Sequence, residues 1–544
     1  MIRLNDLSVP LEADANEILT IALQKSGIPQ GASRRWHLAR KAVDARDKSH
    51  VHFACCVELE FETQADEAKA LDRCRWKKSA LHSPALPASF ESARRPASHQ
   101  CAPPVVVGAG PAGLFAALAL AEAGMRPIVI ERGRPVSERR RDVQRFFAEG
   151  ILDTSSNVQF GEGGAGTFSD GKLNTGIHKD AFTARVIQSF VEAGAPEEIL
   201  WSAHPHLGTD RLPGIVTRLR EKIQALGGTF LFGTRLVSLK TRAGSLSCIE
   251  IEETEGGILK KRALETSACF LCIGHSARDT FAMLENSGVH LLPKPFSIGV
   301  RIEHPQRLID EAQYGRRFAR HPALGAADYK LAVHLPNGRG VYTFCMCPGG
   351  EVVAAASEEG MVVTNGMSAF ARDGQHANAA LLVGITPEDF GGTSPLSGVE
   401  FQRRFERLAF AAGGRNYAAP ATRVEDFLKK RASRRLGTIR ATYRPAVTPA
   451  DVSDALPAFA ASALREAIPL LDRRLHGFAH PDAVLTAVES RSSSPVRIVR
   501  GENFQSASLP GLYPCGEGAG YAGGITSSAA DGLKAAAAFL GMTF

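Results

Sequence analysis

The feature that most constrains this chain is a glycine-rich turn between an apolar strand and an apolar helix. The turn is the segment 108–113, Gly-Ala-Gly-Pro-Ala-Gly, and it follows the β-branched residues Val105–Val107. A helix is predicted over 111–123, stopped by Gly124, and a second strand over 127–131. A strand, a helix and a second strand in this order predict an α/β domain built on a parallel sheet.

The spacing of the three glycines fits a dinucleotide-binding turn. The first glycine permits the tight turn, the second lets the backbone approach a pyrophosphate at the helix N-terminus, and the third allows close helix–strand packing. Glu131 ends the second strand, where a carboxylate can accept hydrogen bonds from a ribose diol. A glycine turn in another kind of α/β protein is the alternative, but the strand, helix and carboxylate favour dinucleotide binding. The predicted cofactor-binding residues here are Gly108, Gly110, Pro111, Ala112, Gly113, Glu131 and Arg132.

A second glycine cluster, GEGGAGTFSDGKL over 161–173, lacks a preceding buried strand and a following helix pattern. We therefore predict a loop that wraps a cofactor with backbone N–H groups, with hydroxyl and amine side chains as further contacts. An irregular surface loop is the alternative. The candidate residues are Gly163, Gly164, Gly166, Thr167, Ser169 and Lys172.

A third cluster follows a short strand predicted over 512–516. A helix comes after it, with Thr526, Ser527 or Ser528 as N-cap candidates. In two-segment FAD folds such a strand and helix return to the first strand–helix–strand unit, and the helix N-terminus favours negative charge on the reduced flavin. A glycine turn before a packing helix is the alternative. The candidates are Gly516, Glu517, Gly523, Gly524 and Ile525, together with Gly274 after a buried strand predicted over 268–273.

These three clusters account for the one unusual number in the composition. The chain has 52 glycines in 544 residues, whereas average usage of about 7% would give roughly 38. Fifteen glycines lie in the three clusters, at positions 108–113, 161–176 and 511–524. The surplus therefore points to three loops that converge on one cofactor.

The order of the patterns predicts a discontinuous domain. Between Gly274 and the strand at 512 lie more residues than any loop holds, so a domain must be inserted there. Segments 229–239 and 248–252 predict hairpin strands, and alternation from Val51 to Phe61 predicts a strand of a small N-terminal unit. The predicted organisation is an N-terminal α+β domain (1–78), a proline-containing linker (79–104), a Rossmann-like FAD-binding domain in two parts (105–292 and 486–544) and an inserted α+β cap (293–485).

Composition and charge exclude several classes of protein. Hydrophobic residues make up 44% and charged residues 22%, which is typical of a globular protein rather than a disordered one. The net charge of +7 is scattered, so no nucleic-acid partner is expected. Prolines and glycines interrupt the longest apolar stretch, 101–121, so no membrane span is expected. The ten cysteines lack a disulfide framework and the first residues lack a signal-peptide pattern, which favours a reduced cytoplasmic protein.

Eight segments spread over nearly the whole chain carry a family resemblance. They are VDARDK (43–48), VVVGAGPAGLFAALALAEAG (105–124), FGEGGAGTFSDGKLNT (160–175), PFSIGVRIEHPQ (295–306), YTFCMCPGG (342–350), NGMSAFARDG (365–374), VESRSSSPVRI (488–498) and CGEGAGYAGGITSSAADGL (515–533). The chain resembles the bacterial FAD-dependent dehydrogenase-like flavoproteins, which have a glutathione-reductase-type FAD domain and no settled substrate. The resemblance implies FAD binding and redox activity.

The resemblance also implies that the cap segments line the flavin, which makes their reactive side chains candidates. Cys345 and Cys347 face the same way on a strand and could bind one group, but a pair two residues apart forms a disulfide only with strain, and packing is the favoured interpretation. Cys269 and Cys272 in a buried strand are interpreted as structural thiols. The opposite charges in Arg301-Ile302-Glu303 and Glu489-Ser490-Arg491 suit a carboxylate clamp or a donor to the flavin, with a structural ion pair as the favoured alternative. The candidate catalytic residues are Arg301, Glu303, Cys345, Cys347 and Arg491.

The sequence thus predicts an FAD-dependent oxidoreductase that transfers hydride between bound FAD and a small-molecule substrate. A single dinucleotide fingerprint with proper context implies that any NAD(P)H docks transiently. No histidine or cysteine spacing indicates a metal site. Two alternatives stay open. One is a flavin monooxygenase, and the other is a flavin-containing RNA-binding or scaffold protein that uses Arg34, Arg35, Arg40, Lys41, Arg46 and Lys48.

Overall fold

The computed structural model describes residues 1–83, 86–93, 102–173, 180–255 and 258–542. Much of the predicted linker, at 84–85 and 94–101, lies outside the described residues. So do residues 174–179, which follow the second glycine cluster and include Gly176.

The N-terminal unit is a four-stranded antiparallel sheet with two helices. Its elements are β1 (Ile2–Val9), α1 (Ala15–Ser26), β2 (Arg35–Asp44), β3 (His52–Glu60), α2 (Gln64–Arg73) and β4 (Ser79–Leu81). The strand order is β2-β3-β1-β4, and the strand predicted from Val51 to Phe61 is confirmed as β3. Helix α1 starts with a capping box in which Asp14 and Glu17 exchange hydrogen bonds, so its first backbone N–H groups are satisfied.

The next segment forms most of a doubly wound α/β domain. Its elements are β5 (Val105–Val107), α3 (Pro111–Glu122), β6 (Ile128–Ile130), α4 (Val136–Glu149), α5 (Ala181–Glu192), α6 (Gly208–Ala225), β7 (Thr229–Leu231), β8 (Thr234–Arg242), β9 (Ser245–Glu255), β10 (Ile258–Glu265), β11 (Cys269–Leu271), α7 (Arg278–Asn286) and β12 (Leu291–Pro293). The prediction of a single hairpin strand over 229–239 was wrong in one respect. Its first part, β7, pairs in parallel with β6, and only β8 belongs to the antiparallel sheet β10-β9-β8, because a turn at Gly233 separates the two.

A large insertion separates β11 from its second neighbour in the parallel sheet. The insertion contains β13 (Phe296–Pro305), α8 (Gln306–Tyr314), β14 (Ala332–His334), β15 (Gly340–Cys347), β16 (Glu351–Ala354), β17 (Thr364–Met367), β18 (His376–Ile385), α9 (Ser397–Gly413), β19 (Ala419–Arg423), α10 (Val424–Leu428), β20 (Val447–Pro449), α11 (Ala458–Asp472) and β21 (Val484–Glu489). It is followed by β22 (Val496–Ile498), β23 (Leu512–Pro514) and α12 (Ile525–Phe539). The five-stranded parallel sheet has the order β23-β11-β5-β6-β7, so the chain returns to its first strands as predicted. The α/β fold class with a discontinuous Rossmann-like domain is confirmed.

The inserted cap is built on a seven-stranded sheet with two chemically different faces. The strand order is β14-β15-β18-β13-β21-β19-β20. Along β13, Ile298, Val300 and Ile302 pack with α11 in the largest apolar cluster of the described residues. The alternate residues of β13 include Arg301 and Glu303 on the opposite face, because successive strand residues point to opposite sides. The short β16–β17 hairpin lies over this polar face, where a Cβ on Gly366 would lie 2.5 Å from Arg301 Nη1. Since β21 runs to Glu489, we propose to place the end of the cap after that residue rather than at 485.

The N-terminal unit docks at the junction of the other two parts. Its strand β2 continues onto residues 201–203, with the Lys41 N–H donating to the Trp201 carbonyl (2.9 Å) and Ala203 N–H donating to the Lys41 carbonyl (3.0 Å). Phe318 and Leu324 of the cap pack against its core. Several basic side chains proposed for RNA contact have partners within the chain. Lys41 lies 4.0 Å from the Phe53 ring centroid, and Lys48 donates to the Gln313 carbonyl.

Candidate functional site

The first glycine turn brings backbone into direct contact with backbone. Gly108 has a φ of +104°, and a Cβ there would lie 2.4 Å from the Cys272 carbonyl oxygen. A Cβ on Gly113 would lie 1.8 Å from the Gly108 carbonyl oxygen, so α3 packs as closely on β5 as the motif requires. Helix α3 has Gly110 as N-cap and no side chain caps it. Its first N–H groups are therefore available to an anion, together with the positive end of the helix dipole.

The second glycine cluster folds onto the first. The Gly163 N–H donates to the Ala109 carbonyl (2.8 Å), and a Cβ on Gly164 would lie 3.1 Å from the Gly110 Cα. The only helical part of this segment among the described residues is the short 3₁₀ turn Ala165–Phe168, which confirms the predicted loop. Thr167 is buried and Ser169 donates to the Gly166 carbonyl, so both hydroxyls stabilise the loop itself.

The third cluster reaches the same place from the other end of the chain. A Cβ on Gly516 would lie 2.8 Å from the Ala112 Cβ, and one on Gly166 would lie 3.0 Å from the Ile525 side chain. The predicted hydroxyl N-caps were wrong, because Gly524 is the N-cap of α12 and has no side chain to cap with. Thr526 instead donates to the Leu173 carbonyl (2.9 Å), which ties the α12 N-terminus to the second glycine cluster.

Open space surrounds three other glycines of the predicted cofactor site. No heavy atom lies within 4 Å of a Cβ built on Gly274, Gly523 or Gly524. Next to Gly274, the His275 Nδ1 lies 3.4 Å from a carboxylate oxygen of Glu517. Two uncapped helix N-termini, three backbone loops and an open side thus form a cradle for an extended, anionic ligand.

Glu131 lies at the centre of this cradle and holds it together. Its Oε2 accepts from the Ala109 N–H (2.8 Å), and its Oε1 accepts from the N–H groups of Gly133 (3.0 Å) and Gly161 (2.9 Å). A carboxylate has about four acceptor positions, so one position on Oε2 is left for a ribose hydroxyl. Arg132 is bonded to Asp279 (2.9 Å) and Thr280 (3.1 Å), so its side chain supports the adjoining helix α7.

Arg139 is a positioning residue that the sequence analysis missed. Its buried guanidinium donates to four carbonyl groups of the second glycine segment, those of Asn157, Val158, Gly161 and Glu162. Burial lowers the pKa of Arg139 to about 10. A helical pattern could have revealed it, because Val136, Arg139, Val143 and Phe146 share one face of α4.

Arg301 and Arg491 lie in separate buried ion pairs. Arg301 donates twice to Glu489 (3.0 Å each) and also to Asn378 (3.1 Å), Asn365 (2.9 Å) and the Cys345 carbonyl (3.0 Å). A guanidinium has five N–H donors, so none is left here to clamp a substrate carboxylate. Arg301 therefore forms a structural ion pair, the alternative that the sequence favoured. It affects the site by fixing the positions of Glu489 and of the Cys345 carbonyl.

Arg491 belongs to a buried triad at the junction of the cap and the α/β domain. Arg491 and Arg278 each donate two hydrogen bonds to Glu406, at 2.7 to 3.0 Å. Burial opposes ionisation of this carboxyl, but Arg278 and Arg491 hold the pKa of Glu406 well below its usual range. Arg278 comes from α7 and Glu406 from α9 of the cap, so the triad fixes the cap in place.

Glu303 lies on the same strand but in a different environment. Its Oε1 accepts from the backbone N–H (3.0 Å) and the hydroxyl (2.5 Å) of Thr442, while its buried Oε2 has no hydrogen-bond partner. Burial raises the pKa of Glu303 to about 7. The carboxyl can therefore hold a proton near neutral pH.

Cys345, Cys347 and Lys172 meet where the second glycine cluster touches the cap. Lys172 forms an ion pair with Asp170 (2.7 Å) and donates to the Met346 carbonyl, between the two cysteines. A hydrogen bond from the Cys347 thiol and the charges of Lys172 and Arg301 outweigh burial and lower the pKa of Cys345 to about 5. The buried Cys269 differs, because burial raises its pKa to about 12.

Comparison with known proteins agrees with this geometry. Residues 104–211 match the FAD binding domain family, residues 295–492 match the family described as FAD-dependent protein, C-terminal domain-like, and residues 1–60 match a domain of unknown function. An uncharacterized protein of Clostridium beijerinckii is 44% identical over 545 residues, covering 98% of each chain.

Two solved structures show more distant likenesses. The 3-ketosteroid-Δ4-(5α)-dehydrogenase from Rhodococcus jostii is 14% identical, with 84% of this chain and 100% of that chain covered and a TM-score of 0.35. A flavoprotein/dehydrogenase from Cytophaga hutchinsonii is 11% identical, with 82% and 80% covered and a TM-score of 0.35.

The fold, the cradle and the domain matches define an FAD-binding flavoenzyme. The cradle suits FAD because two helix N-termini and the glycine backbone offer N–H groups to a pyrophosphate, and Glu131 retains an acceptor for a ribose. The chain belongs to a bacterial family of FAD-dependent flavoproteins. Among the described residues, no helix is long and apolar enough to cross a membrane, and no cluster of three or more acidic, histidine or cysteine side chains could hold a metal ion.

Replacing Glu406 with Gln should destabilise the protein strongly. Two buried guanidinium groups would lose their shared counter-charge, so we expect a loss of about 3–5 kcal/mol in the free energy of unfolding, measured by urea denaturation. The control is Glu400→Gln on the same helix, an exposed partner of Arg403, for which we expect less than about 1 kcal/mol. Equal losses in the two variants would contradict the role of the triad.

Glu303 should make stability depend on pH. A folded pKa of about 7 exceeds the ordinary value of 4.5, so the folded state holds the proton more tightly and stability falls as pH rises from about 4.5 to 7. Relative to Glu303→Gln, the wild type should lose about 2–3 kcal/mol of unfolding free energy between pH 5 and pH 8. Parallel stability curves for the two proteins would show that Glu303 does not titrate in this range.

Proposed function

We propose that this flavoenzyme is a dehydrogenase or reductase that transfers hydride between FAD and a small-molecule substrate bound under the cap. The convergence of the three glycine segments on the uncapped N-termini of α3 and α12 carries the proposal. Beside this cradle, Lys172 of the second glycine cluster meets Cys345 and Cys347 of the cap sheet. When bound, FAD supplies reversible two-electron chemistry at its isoalloxazine ring.

The chain's own residues bind and orient this cofactor. The α3 N-terminus with Gly110, Pro111 and Gly164 is the proposed pyrophosphate site, and Glu131 is the proposed ribose acceptor. The α12 N-terminus at Gly524 and Ile525 would place positive potential beside negative charge on the reduced ring. Gly516 and Glu517 form the proposed wall between these two ends.

The cap and the adjoining second glycine cluster supply the side chains available for substrate. Lys172 carries a stable positive charge, because Cys347, Asp170 and Cys345 raise its pKa against the opposing effect of burial. Tyr342 is half-buried and hydrogen-bonded to Ser297 (2.7 Å), while Phe344 is 46% exposed next to Cys345. This combination suits a substrate with an apolar part and an anionic group. We propose that a nicotinamide donor, where one is used, binds transiently to the same cleft.

The cofactor site can be tested by substitution at Gly110. A Cβ on this residue would lie at an ordinary 3.7 Å from the Gly164 Cα, so Gly110→Ala should fold and keep its yellow colour. Gly110→Glu should fold but lose FAD, because its carboxylate would occupy the proposed pyrophosphate position and repel it. The FAD content of each variant is measured as the ratio of flavin absorbance at about 450 nm to protein absorbance. Circular dichroism is the folding control. Full FAD retention in folded Gly110→Glu would contradict the assignment of the pyrophosphate site.

The reaction class can be tested with purified holoenzyme under anaerobic conditions. NADH, NADPH and a panel of small alcohols, amines, carboxylates and thiols are mixed with the enzyme while the flavin absorbance is followed. Bleaching by one of these donors, followed in air by slow peroxide release and no hydroxylated product, is the expected result. Stoichiometric hydroxylation of a substrate in air would instead assign a monooxygenase, and no bleaching by any donor would contradict the proposed reaction.

A further inference from the structure

Cys345 has an unusual backbone position within the cap sheet. Its φ of +43° lies in the left-handed region, which residues other than glycine rarely adopt. The pairing of β15 with β18 is irregular between Phe344 and Cys347, as in a β-bulge. Bulges redirect side chains and occur often next to active sites. The Arg301 guanidinium holds this conformation by donating to the Cys345 carbonyl (3.0 Å).

The bulge brings two thiols of different character together. Cys345 is partly accessible, whereas Cys347 is fully buried. The Cys347 thiol donates to the Cys345 carbonyl oxygen (3.3 Å). A hydrogen bond to Cys345 and burial raise the pKa of Cys347, whereas the pKa of Cys345 is lowered, so the outer cysteine is the one that ionises first. This arrangement is typical of an attacking cysteine with a resolving cysteine behind it.

The pair lies beside the proposed flavin site. Lys172 contacts the backbone between the two cysteines, and the next residue, Leu173, accepts the hydrogen bond from Thr526 at the start of α12. Two residues of the second glycine cluster therefore connect the dithiol to the helix end proposed to face the flavin ring.

We propose that Cys345 and Cys347 are a redox-active dithiol that reduces a disulfide substrate and is regenerated by the flavin. The proposal rests on the proposed function and names its substrate class. The Cys345 thiolate attacks one substrate sulfur, so a mixed disulfide forms and the substrate S–S bond breaks. The departing thiolate takes the proton of Cys347, whose thiolate then attacks the Cys345 sulfur and releases the second substrate thiolate. The substrate gains two electrons, and the pair becomes a disulfide.

Reduction of the disulfide then returns the pair to its starting state. The Cys345–Cys347 disulfide takes up two electrons and one proton, equivalent to one hydride, from the reduced cofactor, and returns to one thiolate and one thiol. The cofactor regains the hydride equivalent from the donor of the proposed function, a nicotinamide or another hydride donor. Lys172 and Arg301 stabilise the thiolate and are positioning residues in this scheme.

The first test uses 5,5′-dithiobis(2-nitrobenzoate), a small aromatic disulfide, on the FAD-loaded protein. Tryptic peptide 340–372 contains both cysteines and no other, so mass spectrometry reports on this pair alone. In the wild type we expect the peptide to become lighter by two hydrogens, as an internal disulfide. In Cys347→Ser we expect the probe to remain on Cys345, and in Cys345→Ser we expect modification at Cys347 at least about tenfold slower.

The test has a control variant and a folding control. Cys269→Ser removes a fully buried thiol of the parallel sheet and should leave the reaction of peptide 340–372 unchanged. Retained flavin absorbance shows that each variant is folded. If the wild-type peptide carries no disulfide, or if Cys345→Ser and Cys347→Ser react alike, the dithiol is excluded.

A second test examines transfer between the dithiol and the flavin without any donor. The protein carrying the oxidised pair is made anaerobic, light with EDTA delivers two electrons per flavin, and the light is switched off. Return of flavin absorbance together with recovery of both thiols in peptide 340–372 supports the proposal, and Cys347→Ser should show neither. Persistent reduced flavin in the wild type would overturn the electron transfer. Because photoreduction bypasses the donor, this result is independent of whether the donor screen succeeds.

Discussion

The close approach of α3 and α12 is the contact on which the rest of this structure depends. A Cβ on Gly532 of α12 would lie 2.1 Å from the Ala112 carbonyl oxygen of α3, and one on Gly516 would lie 2.8 Å from the Ala112 Cβ. The two helices can therefore pack backbone to backbone, which brings their N-termini to one place. Asp531 supports this packing by accepting from the Gly516 N–H (2.7 Å) while paired with Arg500. With bulkier residues at these positions, the two helix dipoles could not act on one ligand.

Buried charges then determine how the cap sits on this base. The Arg278–Glu406–Arg491 triad joins the α/β domain to the cap, and the Arg301–Glu489 pair joins two strands within the cap. Removing such groups from water is costly, so they contribute less to net stability than to a single orientation of the parts. That orientation matters for chemistry, because the guanidinium that pairs with Glu489 also holds the Cys345 carbonyl.

The predictable parts of the fold are those set by local pattern. The turn at 108–113, its flanking strand and helix, and the returning strand at 512 depend on glycine spacing and apolar runs, and all were found. The N-cap of α12 was misassigned because three hydroxyl residues follow Gly524, and only the observed backbone shows that they lie inside the helix. Glu406 was not singled out at all, since its two arginine partners come from distant parts of the chain. The spacing of two residues suggested that Arg301 pairs with a nearby residue in sequence, whereas its partner Glu489 lies on the neighbouring strand β21.

The second glycine cluster connects the cofactor cradle to the cap. At one end, Gly163 and Gly164 contact the first glycine turn, and Arg139 holds the preceding carbonyl groups. At the other end, Asp170 and Lys172 contact the cap beside Cys345. Glycines let the first half pack closely on the turn at 108–113, while charged side chains in the second half set the electrostatics of the thiols. A displacement of this loop would therefore change the cofactor cradle and the thiolate environment together, which couples cofactor binding to the reactivity of the cap.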